Sequence, residues 1–537
     1  MRINKNIWFI LLIALTTSCL NEEPKDQLYE KDIYNNANNI YINAVAVLYN
    51  YIGGSAESEG LQGTCRGIYD YNTLTTDEAM IPIRGGDWYD GGLWENMYLH
   101  RWNANDLPLY NTWKYLYKVV VLANKSLSVI DTYSHHLNDE QKTAYQAEVK
   151  AIRALYYYYI MDMFGRVPLV TSYNEEQDTI VQSERSEVFR FIVKELQEIV
   201  NLLPANHSNK MGIYYGRITA PVVHFLLAKL ALNSEIYCDD HWTDNIHPNG
   251  KEIFFTVDGK RLNAWETCVL YCDKLTDSGY QLEEDYSYNF AVYNENSSEN
   301  IFTIPLDKNL YAAQFHYLFR SRHYNHGGAL GGASENGTSA TISTISAYGY
   351  GTENVDSRFE KNFYAGQVIV DGKVVKLDNG EPLEYMPWEI KLNLTGSPFV
   401  KTAGARMAKY EVDRTSHSDG RQPDNDIVLF RYADALLMKA EAKVRNGEDG
   451  SIELNQIRNR VGMPNRDATL DNILEERRLE LVWEGWRRQD LIRFGLFHTS
   501  YDQRTQLADE GNAYTTVFPI PQKCLDLNPN LKQHIGY

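Results

Sequence analysis

Residues Ala144-Tyr-Gln-Ala-Glu-Val-Lys-Ala-Ile-Arg-Ala-Leu-Tyr-Tyr-Tyr-Tyr-Ile-Met-Asp-Met-Phe-Gly165 decide the fold class. Val149, Ile152, Tyr156, Tyr159 and Met163 recur at steps of three and four, the period of one helical face. Ala147, Ala151 and Ala154 form a second stripe of small side chains, against which another helix can approach closely. Gly165 stops the helix and Pro168 follows, the ordinary C-terminal signal. Working outward, the same periodicity predicts helices over Thr112–Ile130, Ser186–Leu202, Val222–Ile236, Ala264–Thr276, Ile427–Arg445 and Asn472–Phe494. Val222–Ile236 is apolar nearly all round, so it is expected to be buried; Thr219 is its expected N-cap, with Pro221 in the first turn. The chain is therefore mainly α, and its paired helices are of the helix-turn-helix repeat kind, without a strict period of about 34 residues.

Between Gly279 and Ala408 helical periodicity fades and Gly, Asn and Tyr become frequent. Gln367-Val-Ile-Val-Asp-Gly-Lys-Val-Val predicts a β-hairpin turning at Asp371-Gly372, and a smaller hairpin is expected around Phe255-Thr-Val-Asp-Gly-Lys. The expected organisation is a leader over 1–18, then one domain over 19–537. Its helical scaffold covers roughly 30–278 and 409–500, and its loop-rich variable part, with short hairpins, roughly 279–408.

The leader has Arg2 and Lys5, then an apolar stretch from Ile7 to Leu15, then Thr16, Thr17, Ser18 and Cys19. About nine apolar residues are too few to span a bilayer, which needs roughly 20, and they suit a secretory signal. Cys19 after small residues looks like a bacterial lipobox, whose thiol is acylated, so Cys19 is the expected lipid anchor. The 52 basic and 71 acidic residues leave a net charge of −19. That argues against nucleic acid, whose affinity comes largely from basic contacts to phosphate. Six cysteines in 537 residues are not a disulfide framework. Cys268 and Cys272 lie four apart on a helical pattern and are read as buried free thiols. Neither they nor His241 and His247 make a zinc spacing, and no metal or cofactor is expected. Tyr is unusually frequent, at 39 residues, and most of these rings must pack helices.

Six motifs occur in order. They are Glu148-Val-Lys-Ala-Ile-Arg-Ala-Leu-Tyr-Tyr-Tyr-Tyr running on to Phe164-Gly-Arg-Val-Pro-Leu, Gly216-Arg-Ile-Thr with Leu227-Ala-Lys-Leu, Arg431-Tyr-Ala-Asp-Ala-Leu-Leu-Met-Lys-Ala-Glu-Ala, Asn455-Gln-Ile-Arg-Asn-Arg-Val-Gly, Glu475-Glu-Arg-Arg-Leu-Glu-Leu-Val-Trp-Glu-Gly-Trp-Arg-Arg-Gln-Asp-Leu-Ile-Arg-Phe-Gly, and the closing Phe518-Pro-Ile-Pro with Asn528-Pro-Asn-Leu-Lys-Gln. Together they resemble the SusD/RagB family of outer-membrane lipoproteins, over nearly the whole chain after the leader. Two departures, Cys524 and His534, fall in the closing tail. The resemblance implies tetratricopeptide-like helix pairs. It also implies a lipid-anchored protein on the outer face of the outer membrane that captures oligosaccharides, or in some members peptides, for a SusC-like TonB-dependent transporter barrel. No catalysis or cofactor is implied. A surface endo-glycosidase is the alternative from the enzyme class.

For the site, Glu475–Arg493 is dense in charge but is read as structural, its acids and bases neutralising one another at i,i+3 and i,i+4. The stretch from Asp77 to Asp106 looks more like a binding loop, with three Trp, Tyr, Arg and several Asp among two Gly-Gly pairs and no helix or strand period. Apolar rings stack on pyranose C–H faces while Asp, Asn and Arg hydrogen-bond hydroxyls. The resemblance, carried by order and spacing, points to Asp77, Arg84, Trp102 and Asn105; Trp88 is the added aromatic. Asn309–Gly328 is a second candidate wall, with Tyr311 and Tyr324 its expected ligand-facing rings, beside Tyr317 and His323.

Overall fold

The computed structural model describes residues 30–62, 64–176, 179–244, 246–310 and 313–537. The leader, Cys19 and Tyr311 lie outside the described residues. The deciding stretch is the second half of a helix over Asp139–Phe164, opened by an Asn138 capping box and closed at Gly165, whose φ is +64°. It packs against Leu107–Thr132 on one side and Arg185–Ile199 on the other. Its four consecutive tyrosines are all buried. Burial of a phenol needs a partner for its hydroxyl. Tyr156 meets the Tyr115 hydroxyl at 2.8 Å, Tyr157 donates to the Val170 carbonyl at 2.7 Å, and Tyr158 accepts from Gln489 Nε2 at 2.6 Å. Much of the tyrosine excess is thus helix packing with the polar tips engaged.

The array continues through Ala220–Leu232, Ala264–Asp277, Tyr432–Asn446, Ser451–Arg460 and Leu470–Leu481, each against its neighbour. Ala220–Leu232 is buried at nearly every position, as its all-round apolarity requires. One hydrophobic core runs from Tyr34 to Ile520. The expected hairpins form. Ile369–Val370 pairs antiparallel with Lys373–Val374 across Asp371 and Gly372, at φ +52° and +73°. Phe254–Val257 pairs with Lys260–Asn263. Strands are short throughout and join only in pairs. Among the described residues no helix is long and apolar enough to cross a membrane.

Three expectations are corrected. Ile427–Arg431 is a strand, antiparallel to Asn300–Ile304, and the helix begins only at Tyr432. A short continuous apolar run fits a fully buried strand as well as a helix, and this one is buried at every position. Asn472–Phe494 is not one helix. It breaks after Leu481, where Trp483 and Gly485 take φ +67° and +74°, and resumes over Arg487–Arg493. The stretch from Asp77 to Asp106 contains a short strand at Ala79–Met80 and a helix over Leu93–Tyr98.

The charged segment is structural, but most of its pairs are tertiary. Glu480 takes Arg431 at 2.6 Å, Arg358 at 2.8 Å and also Arg460. Glu476 takes Arg458 and Arg358, and Glu484 takes Arg431 and Lys409. Arg477 reaches Asp434 and Asp490, and Arg488 reaches Asp162, each within 2.9 Å. Only Arg493 with Asp490 follows the i,i+3 pattern. Glu476, Arg477 and Glu480 still lie on one helix, Leu470–Leu481, whose buried face meets charges from other segments; Glu484 and Arg488 come after the break. Cys268 and Cys272 are buried free thiols.

Candidate functional site

The region expected to bind splits into two halves around the helix Leu93–Tyr98. The N-terminal half is a tight turn. Arg84 and Asp87 exchange backbone hydrogen bonds at 3.0 and 3.3 Å around Gly85-Gly86, with Gly85 at φ +70°. Trp88, Asp90, Gly91 and Gly92 then take φ of +65°, +41°, +66° and +86°. Left-handed backbone at a tryptophan is costly and persists only where surrounding contacts hold it. Here Trp88 Nε1 donates to the Glu335 carbonyl at 3.1 Å, and the ring meets Trp94 edge-on at 6.1 Å. A Cβ at Gly337 would lie 2.7 Å from Trp88 Cζ2, so glycine there makes room for the indole.

Beneath it Trp94 is fully buried, donating to Asp90 Oδ2 at 2.8 Å. The Arg66 and Arg320 guanidinium carbons lie 5.7 and 5.3 Å from the Trp94 ring. Arg66 also pairs with Asp90 at 2.9 Å and Glu57 at 2.5 Å. Trp88 is thus half-exposed on a rigid, charge-locked bed. Tyr89 beside it is 58% exposed and Tyr324 is 49% exposed. Tyr324 opens the short helix Tyr324–Leu330, capped by His323. Burial, then the fields of Asp87 and Glu335, push its phenol upward, so both carboxylates lie within electrostatic reach of Tyr324. Glu335 also sits 3.2 Å from His316 Nδ1. Exposed Tyr89, the partly buried Trp88 indole and the carboxylates of Asp87, Asp90 and Glu335 therefore lie around one turn, with exposed Tyr324 in reach of the fields of Asp87 and Glu335. Such a surface can stack a flat apolar face and accept hydrogen bonds from hydroxyls.

The other expected residues lie elsewhere. Trp102 is 5% exposed, donates to the Tyr537 hydroxyl at 2.6 Å and packs edge-on against Phe518 at 4.8 Å. Arg84 is buried; its Nη1 donates to the Val400 carbonyl and its Nη2 to Ser339 Oγ and the Ala403 carbonyl, all at 2.9 Å. Asp77 is held by Arg487 at 2.7 Å and by Arg478. Burial alone would raise its carboxyl, but the two guanidiniums overcome this and hold it at about 2. It lies on one wall of a separate polar cleft of about 740 Å³. The expectation that Asp77, Arg84 and Trp102 join Trp88 in one wall is therefore corrected, because their polar atoms are committed inside the fold. Asn105 is exposed, but it belongs to the turn before Leu107–Thr132, beside the C-terminal tail. Tyr317 and His323 are buried. Sequence reasoning passed over Tyr89, Glu335 and Arg66. Tyr89 adjoins the chosen Trp88, whereas nothing local singles out Glu335 and Arg66. A second cavity, about 670 Å³ and mainly apolar, lies between Tyr41, Tyr49 and the turn at Pro305–Leu310. Among the described residues no group of three His, Cys, Asp or Glu is placed to hold a metal.

Comparison with known proteins covers almost all of the chain. A model of the SusD family matches residues 254–537, and one described as starch-binding, associating with the outer membrane, matches residues 30–232. The starch-binding protein SusD of Bacteroides thetaiotaomicron is 24% identical over 520 residues, 90% of this chain and 87% of that protein. The SusD-like protein P25 of Formosa agariphila is 23% identical, over 99% of this chain and 98% of its own. Among solved structures, surface glycan-binding protein A of B. thetaiotaomicron in complex with laminarihexaose is similar at TM-score 0.68 and 22% identity, over 93% of this chain and 99% of that one.

Proposed function

This chain belongs to the SusD family, and from that premise we propose that it binds oligosaccharide at the outer membrane surface and does not convert it. The observation that carries this reading is the pinned Trp88, held at positive φ with its indole only partly buried next to the exposed Tyr89. Rings fixed before binding lose little freedom when a sugar stacks on them, and this favours affinity. Asp87, Asp90 and Glu335 supply acceptors for hydroxyls around those rings. Tyr311, expected at the site from the sequence and outside the described residues, stays in the proposal as a ligand contact, while Asn105 lies on another part of the surface. Relatives that are named as starch-binding and glycan-binding support the ligand class. We further propose that Cys19 carries the lipid that holds the chain to the membrane, and that the partner is a TonB-dependent barrel of the SusC kind.

A glycan array probed with the chain lacking residues 1–18 tests the function. Retention of at least one oligosaccharide family, with no shortened product after prolonged incubation, is the expected outcome. Release of shorter products would replace this reading with an endo-glycosidase; affinity for oligopeptides and for no glycan would replace it with a peptide binder.

A further inference from the structure

The fully buried arginines of this chain follow one rule, and Arg185 breaks it. Arg320 pairs with Asp70, Arg488 with Asp162, Arg504 with Glu510, and Arg477 with Asp434 and Asp490. Arg406 has no carboxylate but donates to the carbonyls of Gly404, Ser321 and Lys401. Arg185 is 1% exposed. Among the described residues its side chain has no ion-pair partner and no hydrogen-bond acceptor, and its Nε and Nη1 are buried without one. Its neighbours are rings: the guanidinium carbon lies 5.2 Å from the centre of Tyr237 and 6.0 Å from that of Trp242. The acids whose fields reach it, Asp162 and Asp239, are engaged elsewhere. Asp162 takes Arg488 and the Tyr237 hydroxyl, and Asp239 takes His247. A guanidinium does not shed its proton to escape burial, and an unpaired buried charge is strongly destabilising.

Arg185 lines a pocket of about 360 Å³ bounded by the start of its own helix, the short helix Ser234–Tyr237 with Asp239, Trp242 and His247 after it, and the 492–516 segment. Trp242 lines the same pocket, and its Nε1 is also buried without an acceptor. The carboxylates on the wall already have donors. Glu510 takes Arg504, His100 and the Thr515 hydroxyl, and Glu235 takes the Gly250 amide. Arg493, the other cation there, is held by Glu441 and Asp490. Burial pushes the His498 imidazole down to about 3, so it is neutral at physiological pH. The helix terminus itself is satisfied, with the Ser186 amide donating to Asp240 at 2.8 Å. What remains is one uncompensated guanidinium, one indole N–H without an acceptor and the face of an aromatic ring, with exposed Gln506 and Gly511 at the rim.

We propose that this pocket is an anion site that takes a small organic carboxylate. The carboxylate would sit on the fork of Arg185, whose planar geometry suits bidentate pairing, and the body of the ligand would lie against Trp242. The volume is at the small end for ligand pockets, which run from about 300 Å³ upward, and suits a group the size of one acidic sugar. No residue of the Trp88 surface contributes to it, so the site stands whether or not that surface binds glycan.

The test is titration calorimetry and thermal melting of the chain lacking residues 1–18, with sodium glucuronate as probe and sodium phosphate and sodium chloride as parallel arms at constant ionic strength. Glucuronate should bind and raise the melting midpoint progressively once it exceeds its Kd. Arg185→Met should weaken it at least tenfold. Trp242→Phe, which keeps a ring and removes only the N–H, should weaken it several-fold; that variant decides the matter if Arg185→Met does not fold. The proposal is overturned if glucuronate produces neither heat nor stabilisation in the unaltered chain, if the folded variants bind as tightly as the parent, or if phosphate binds and glucuronate does not.

Discussion

At the scale of single residues, Trp88 and Trp102 are chemically identical, lie fourteen positions apart in one aromatic-rich stretch, and face opposite fates. Trp88 stays only partly buried, its φ of +65° and the hydrogen bond to the Glu335 carbonyl fixing the ring. Trp102 is covered by Phe518 and Tyr537. Substitution should separate them. Trp88→Ala is expected to lower affinity for the array-selected oligosaccharide by roughly five- to 150-fold, the effect of losing about 1–3 kcal/mol at a binding hot spot, with an unchanged melting temperature. Trp102→Ala should cost about 3–5 kcal/mol of stability, as for buried aromatics generally, and should change affinity only through loss of folded protein. Calorimetric titration beside a melting curve for each variant checks both. Unaltered affinity in Trp88→Ala would remove the ring from the proposed site.

At the scale of elements, the break between Leu481 and Arg487 matters most. Had the chain stayed helical, Glu476, Glu480 and Glu484 would form a row along one face. Instead the left-handed residues Trp483 and Gly485 take Glu484 out of that row, while Glu480, still on the first helix, is the acceptor for Arg431, Arg358 and Arg460 from three other segments. Gly485 is the weak point. A Cβ there would sit 3.3 Å from the Tyr69 ring on a backbone at φ +74°. Gly485→Ala is therefore expected to destabilise by about 1–2 kcal/mol, the usual cost of forcing an L-residue into left-handed backbone. A lowered urea midpoint with an unchanged slope would confirm it. The strand at Ile427–Arg431 teaches a related lesson: four apolar residues and Arg431, all buried, carry no period, and only the partner Asn300–Ile304 makes them a strand.

At the scale of the whole molecule, buried ion pairs tie stability to pH. Burial alone would raise Glu441, but Arg493 and Arg445 hold it at about 2, below its ordinary 4.5. Asp77 is likewise held at about 2. Groups depressed in the folded state stabilise it fully above their unfolded values, and that stability is lost as pH falls toward the folded ones. Melting temperature should thus drop between about pH 4.5 and 2. Glu441→Gln should cost about 3–5 kcal/mol near pH 7 by removing the buried carboxylate shared by Arg493 and Arg445, and the gap to the parent should narrow across that acid window. A gap independent of pH would show that the carboxylate is not the linked group. Glu78 and Asp426 oppose this trend, since burial raises both to about 7. Their contribution favours the fold at low pH and is lost as pH rises from about 4 to 7. In cells, Cys19→Ala should abolish labelling by a fatty-acid analogue and release the chain from membranes, and cross-linking of the parent under inducing growth should capture a large β-barrel. Equal labelling, or no captured barrel, would overturn the anchor or the transporter partnership respectively.

By itself the sequence determined the mainly α class, the helix stops at Gly165, both hairpin turns, the structural nature of the charged segment and the family. These are local or ordered signals: an apolar period repeats within a turn or two, a turn glycine acts on its own φ, and six motifs keep their order however the chain packs. Only the tertiary structure decided which loop rings face outward, which helix a buried arginine reaches and where the Asn472–Phe494 pattern breaks. Trp88 is uncovered and Trp102 covered because of residues 335–337 and 518–537, hundreds of positions away. Arg185 is left without a counter-charge because Asp162 is taken by Arg488 across the core. The exposure of these rings and most of the buried charge pairs belong to distant segments brought together, and no short window along the chain contains both partners of such a pair.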